Sequence, residues 1–245
     1  MKLNVGHIYP DLLNLYGDRG NVQSFVKRLS WRGIEAEVIS YLSGDAIDFS
    51  KLDIIMLGGG SSKEQTYACE LLSKYKDELK DYIENDGVIL AVCGGYHMLG
   101  KSFETATETV AGLGILDITS TYDKDPMIGN IRIDTKFMER PLYGFENHYE
   151  KTDIGSYESF GTVTHGFGNG YSNKEGLIYK NLIATNVHGP LLPKNPEICD
   201  YMLTKALEKK YGDKIVLEPL DDSLEMLSNK EASILFTEKE LKSRS

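Results

Sequence analysis

The chain is predicted to be an α/β protein, a mostly parallel twisted sheet with helices on both faces and shorter strands added in the second half. Three observations carry this prediction. Apolar, strand-like runs alternate with amphipathic ones through the first half. Two of those runs end in glycines, "LDIIMLGGG" (52–60) and "VILAVCGG" (88–95), as strands do where a parallel sheet hands the chain on. With 245 residues, 41% hydrophobic and 26% charged, the chain can bury the core of one large α/β domain with a short appendage.

Taken in order, "LNVGHIY" (3–9) reads as a buried strand and "NVQSFVKRLSWRG" (21–33) as an amphipathic helix stopped by Gly33. "EAEVISY" (35–41) is a second strand, and 52–60 is a third. One helix is expected through 64–86, with Gly87 after it, then the strand "VILAVC" and a helix starting near Gly94. From 112 to 190 the pattern changes to short strands separated by Gly and Asn/Asp clusters: "IGNIRID", "PLYGFENH", "FGTVTHGFG", "GLIYKN" and "LIATNVHG". Pro196 opens and Gly212 closes a helix over 196–212. Residues 213–245 are polar, carry one apolar patch ("ASILF") and are expected to be a loosely attached helical tail.

Composition excludes several classes of function. A net charge of −10 argues against general nucleic-acid binding. No apolar run approaches the ~20 residues that span a bilayer, and Pro, Asp and Gly punctuate the N-terminus, unlike a signal peptide. Three widely spaced cysteines, Cys69, Cys93 and Cys199, fit neither a disulfide framework nor a zinc site and suggest a reducing cytoplasm.

The chemistry is concentrated in "GVILAVCGGYHML" (87–99). Cys93 follows an apolar strand and precedes Gly94 and Gly95, with Ala91 before it; small neighbours of this kind permit a tight strand-to-helix turn that pushes a nucleophile out over the sheet edge. The following helix N-terminus is expected to lower the thiol pKa, and its N–H groups, Gly94 first, to hold an oxyanion. A cysteine ending a buried strand is also commonly filler, so the elbow alone leaves both readings open. Cys69 and Cys199 lie in helical patterns and read as structural. Among the five histidines, His188 ends the strand "LIATNV" ahead of Gly-Pro, at the sheet edge where Cys93 is expected. The Gly58–Gly60 loop ends the other glycine-rich strand. It lacks the Gly-Lys-Ser/Thr of a phosphate-binding loop, and a wall of the oxyanion site, through Gly59 and Gly60, suits it better.

In this order these motifs resemble the class I (triad) glutamine amidotransferases: Gly58-Gly59-Gly60, then Ala91 to His97 around Cys93, then His188. "GFENH" (144–148) is similar to a motif of the cobyric-acid-synthase-type branch. Within that branch, "LNLYGDRGN" (13–21), "GGGSSKEQ", "GLGILD" and "HGPLLPKN" resemble the GatD-type glutaminase subunits of lipid II isoglutaminyl synthases. The resemblance covers roughly 1–212, taken as the amidotransferase domain, with 213–245 as its tail. It departs in three places. Ala91 replaces a glycine; His97 stands where many relatives have a substrate-holding glutamine; and Asp125-Pro126-Met127 occupies the place of a glutamine-binding arginine, with Lys124 and Arg132 the nearest cations.

What the resemblance implies is hydrolysis of L-glutamine, with Cys93 as nucleophile, His188 as base, and Gly94, Gly59 and Gly60 around the oxyanion. The ammonia would pass to a Mur-ligase-like partner in a heterodimer, which amidates the D-glutamate of lipid II in peptidoglycan synthesis. No cofactor is expected in this chain; ATP and metal would belong to the partner. His188-Gly189-Pro190 lacks the acid that orients the base in many relatives, so the base is expected to be poorly oriented and the partner to supply a carboxylate. Two rivals are another thiol hydrolase on the same sheet and a non-catalytic, flavodoxin-like binding module.

Overall fold

The computed structural model describes residues 1–170 and 172–243. Its first half runs β1 (Lys2–Ile8), α1 (Arg19–Trp31), β2 (Glu35–Tyr41), β3 (Ile54–Leu57), α2 (Ser62–Ser73), α3 (Lys76–Glu84), β4 (Val88–Val92) and a single turn, α4 (Gly94–His97). Strands β1 to β4 pair in parallel. Strands β3 and β4 are apolar at every position because both faces are covered. Ile54, Met56, Val88, Leu90 and Val92 meet α1 and its neighbours, and Ile55, Leu57, Ile89 and Ala91 meet the opposite layer. Burying a side chain of this size is worth about 1.5–3 kcal/mol.

The single helix expected over 64–86 is two helices. Glu64 and Ser61 close a reciprocal capping box that starts α2. The break falls at Tyr75, which leaves helical geometry to set its ring edge-on to Phe49 at 6.2 Å and accept a hydrogen bond from the Ile47 N–H. Tyr75, half-buried, packs against the same core layer that Leu79 and Ile83 of α3 enter.

The second half builds another sheet. Its strands are β5 (Ser102–Glu104), β6 (Thr109–Ala111), β7 (Thr119–Asp134), β8 (Leu142–Asp153), β9 (Gly161–His165) and β10 (Lys174–Glu175). The expected short strands at 128–134 and 141–148 are parts of one long antiparallel β7–β8 ribbon. The first half of β7 lay outside the expected strands; it carries Pro126, which the ladder accommodates through a register shift between Tyr122 and Met127. Strands β11 (Leu177–Tyr179) and β12 (Leu182–Thr185) return to the first sheet, giving the order β11-β12-β4-β3-β1-β2. Only β11 is antiparallel there, and β12 lies parallel beside β4.

Helix α5 (Pro196–Tyr211) ends on Gly212 in the left-handed conformation, φ 76°. The tail forms α6 (Ser223–Ser243), which is anchored rather than loose. Arg28 donates to Asp222, the Asn229 side chain donates to the Lys194 carbonyl at 2.6 Å, and Phe236 is buried beside Tyr143 and His165. Arg244 and Ser245, the end of the expected tail, lie outside the described residues. Among the described residues no helix is long and apolar enough to cross a membrane.

Candidate active site

Cys93 follows directly on β4 with φ 50° and ψ −111°, a conformation that costs a non-glycine residue of order 1–3 kcal/mol. The turn persists because its surroundings hold it. The Cys93 N–H donates to the Thr185 carbonyl at the end of β12, and the Gly95 N–H donates to the Gly58 carbonyl. A β-carbon at Gly95 would stand 2.5 Å from the Leu57 oxygen, so only glycine lets the elbow close on the end of β3. A filler cysteine requires none of this strain.

The electrostatics differ from the sequence expectation. The thiol is 7% exposed, and its pKa is raised. Burial is the main cause, followed by the negative fields of Glu150 and Asp18, while the Gly94 N–H opposes them weakly. The helix expected to lower the pKa is one turn long, too short for a substantial dipole. Cys93 therefore rests as a neutral thiol and requires a base to become a nucleophile.

The glycine loop lies where it was expected, against the elbow; a β-carbon on Gly59 would come within 3.2 Å of the Cys93 β-carbon. Its donors are not equivalent. The Gly59 N–H donates to Asp18 Oδ2 at 2.9 Å, whereas the Gly60 N–H has no protein acceptor among the described residues. Asp18 is fully buried, and desolvation raises its carboxyl pKa to about 6. The sequence reading passed over Asp18, which appeared only as one letter of "LNLYGDRGN".

The strand expected to end at His188 ends at Thr185, and His188 forms an isolated antiparallel bridge with Phe145 of β8. The bridge still holds His188 close to the sheet edge from which Cys93 emerges, because Thr185 pairs with Val92. The imidazole is 1% exposed; desolvation lowers its pKa to about 4 and keeps it neutral at pH 7. Nε2 accepts from the Asn147 N–H at 3.0 Å, so Nδ1 carries the proton, buried and without a partner. Phe145 meets the ring edge-on at 5.9 Å, and Tyr16 stacks on its face at 4.3 Å and 13°. Among the described residues no carboxylate bonds to it. Glu146 of "GFENH" is turned away, accepting from the Phe167 and Gly168 N–H groups.

His97, at the position of a substrate-holding glutamine in relatives, is fully buried with Nε2 2.9 Å from Asn186 Oδ1. It links the elbow to the segment after β12 and presents nothing to a substrate. Arg132 donates to Thr164 and lies under Phe236, and Lys124 is exposed on β7. Cys69 and Cys199 are buried thiols whose pKa values burial raises, and both lie within helices, away from any strand-to-helix turn.

A strained cysteine elbow follows a central parallel strand, with a glycine loop beside it and His188 bridged to β8 near the same edge. Residues 4–196 match the CobB/CobQ-like glutamine amidotransferase domain, and the chain belongs to that family. The lipid II isoglutaminyl synthase (glutamine-hydrolyzing) subunit GatD of Staphylococcus aureus is 42% identical over 214 residues, covering 85% of this chain and 86% of that one. The subunit of the same name from Streptococcus pneumoniae is 34% identical over 229 residues, covering 91% and 87%. Cobyric acid synthase of Listeria innocua is 31% identical over 151 residues, 58% of this chain and 29% of that larger protein. PurLQS from Thermotoga maritima shares the fold, with a TM-score of 0.56 at 14% identity, covering 87% of this chain and 100% of that one.

Proposed function

We propose that this chain is the glutamine-hydrolysing subunit of a lipid II amidating enzyme, with Cys93 as nucleophile and His188 as base. The observation that carries the reading is the strained Cys93 elbow closed against the Gly58–Gly60 loop. Two GatD subunits of lipid II isoglutaminyl synthase match the chain over more than four-fifths of both lengths, and they support the physiological assignment.

The chemistry follows from two neutral groups. His188 takes the thiol proton as sulfur attacks the side-chain carboxamide carbon of L-glutamine. The resulting oxyanion is met by the Gly94 and Gly60 N–H groups, and by Gly59 when Asp18 releases it. The imidazolium then protonates the departing ammonia as the C–N bond breaks, leaving a thioester. His188 next deprotonates water, whose attack releases glutamate and returns the proton to Cys93. For the first step Nε2 must exchange the Asn147 N–H for the thiol.

Ammonia would pass to a Mur-ligase-like subunit that uses ATP and metal to activate the D-glutamate carboxyl of lipid II. A carboxylate of that subunit near Nδ1 of His188 would complete the triad. Among the described residues no group of three or more His, Cys, Asp or Glu could hold a metal ion. The test is ammonia release from glutamine by the chain, alone and with the partner, and partner-dependent formation of D-isoglutamine. Wild-type hydrolysis by Cys93→Ala would overturn the assignment.

A further inference from the structure

Tyr16 lies in "LNLYGDRGN", a stretch from which the reaction above uses Asp18 and not Tyr16. Its ring covers one face of the His188 imidazole at 4.3 Å, nearly parallel, while Phe145 closes the side. The same phenol is pushed up first by burial and next by the field of Cys93, so the ring touches the base and lies within electrostatic reach of the nucleophile. The loop carrying it is tied to the glycine loop on both sides of Tyr16. The Leu15 N–H donates to the Gly59 carbonyl at 3.0 Å, and Asp18 accepts from the Gly59 N–H. The Arg19 N–H closes the loop on Asn14.

We propose that Tyr16 is a positioning residue for the base: its ring is the surface on which the His188 imidazole lies, holding the ring plane while Nε2 moves between the Asn147 N–H and the Cys93 thiol. The inference rests on the glutaminase reading of Cys93 and His188. A parallel stack opposes tilting, which would lose the whole contact, and permits sliding in the plane, which loses little of it. The face of an electron-rich ring also favours the imidazolium formed in the transition state. Where this chain offers His188 no carboxylate, these are the two duties a carboxylate would perform. Neither needs the hydroxyl.

Groups that bear on the titration of His188 are few. The Tyr16 phenol faces it from the loop, and the Asn147 N–H and His148 act from β8. Burial dominates its low value, and Tyr16 supplies part of that burial.

The test is steady-state glutamine hydrolysis against pH by the full chain, in whichever state (alone or with its partner) the wild type is active. Tyr16→Leu should lower kcat about 10- to 100-fold, part of what a general base contributes, with KM within about threefold. Its acidic limb should move up from near 4 towards the ordinary 6.5 as water reaches the imidazole. Tyr16→Phe should restore both rate and limb. Tyr16→Met fills the space without a planar face and should behave like Tyr16→Leu if the latter fails to fold. An unchanged or faster rate in the Leu and Met variants would overturn the proposal, because the ring would then be idle or obstructing. A Phe variant as slow as Leu would overturn it too, by assigning the role to the hydroxyl. If wild type and Cys93→Ala prove equally inactive, the glutaminase reading fails and the proposal falls with it, an outcome the other results do not resemble.

Discussion

Cys93 and His188 are held in opposite protonation ranges, the thiol pushed up and the imidazole down to about 4, so both are neutral across the physiological span. The resulting pH profile is distinctive. Activity requires neutral imidazole, so it should be lost only as pH falls through about 4, well below the ordinary 6.5. From about 5 up to the ordinary thiol value of 9.0, neither Cys93 nor His188 should impose a limb on kcat/KM, because the proton passes within the pair rather than to solvent. An acidic limb near 6.5 would mean that His188 is solvated in the working enzyme. Cys93→Ser should abolish hydrolysis, and Cys69→Ala and Cys199→Ala should retain it; ammonia release at the wild-type rate by Cys93→Ser would assign the nucleophile elsewhere. At this scale Cys93 was legible because an apolar strand ending in Cys-Gly-Gly constrains the backbone by itself. Tyr16 and Asp18 were not, since each acts through a partner more than 40 residues away, Gly59 for one and His188 for the other, with no local period marking either.

Among elements, the junction of β3, β4 and α4 is under strain. Gly95→Ala would drive a methyl into the Leu57 carbonyl oxygen, where a β-carbon stands at 2.5 Å and the obstacle is backbone. It should cost about 1–3 kcal/mol of stability and most of the activity, by lifting the elbow from the glycine loop. Chemical denaturation and glutaminase assays together check this, and a fully active, fully stable variant would show the junction to be more pliable. Phe236→Ala should lower stability by about 3 kcal/mol, as for a large buried ring, by uncovering Tyr143 and His165 beneath α6. A loosely attached tail would lose almost nothing in the same denaturation experiment. The elements of the parallel half were readable because central strands are apolar throughout and end in glycine. The β7–β8 ribbon was read only in part, because pairing across a bulge hides Pro126, and the break at Tyr75 depends on Phe49, which no helical period reveals.

For the whole molecule, the buried histidines set the response to acid. His7 and His188 both have pKa values lowered from 6.5 to about 4, so unfolding between those values takes up a proton at each. Their contribution to stability is present above 6.5 and is lost as pH falls towards 4. Asp18, raised from 3.8 to about 6, works against them, binding a proton in the folded state that the unfolded chain releases. One net proton remains from these three groups between about pH 4 and 6, a contribution that falls by about 1.4 kcal/mol for each pH unit lost in that window. Burial also lowers His97, which adds to the fall, and raises Glu175, which opposes it. Asp18→Asn should steepen that slope and His7→Gln should flatten it, as read from denaturation midpoints at pH 5 and 6; slopes unchanged in both variants would remove these groups from the account. The fold class was legible because alternating strand and helix periods leave few topologies, and the return of β12 beside β4 joins the two halves at the site. The central claim, that Cys93 is a glutamine-directed nucleophile, is tested most directly by mass spectrometry of the chain treated with a chloroketone analogue of glutamine. The account predicts one adduct, on Cys93, suppressed by excess glutamine and absent in His188→Ala over the same time. Labelling spread over Cys69 and Cys199, or labelling of Cys93 that glutamine does not slow, would contradict it.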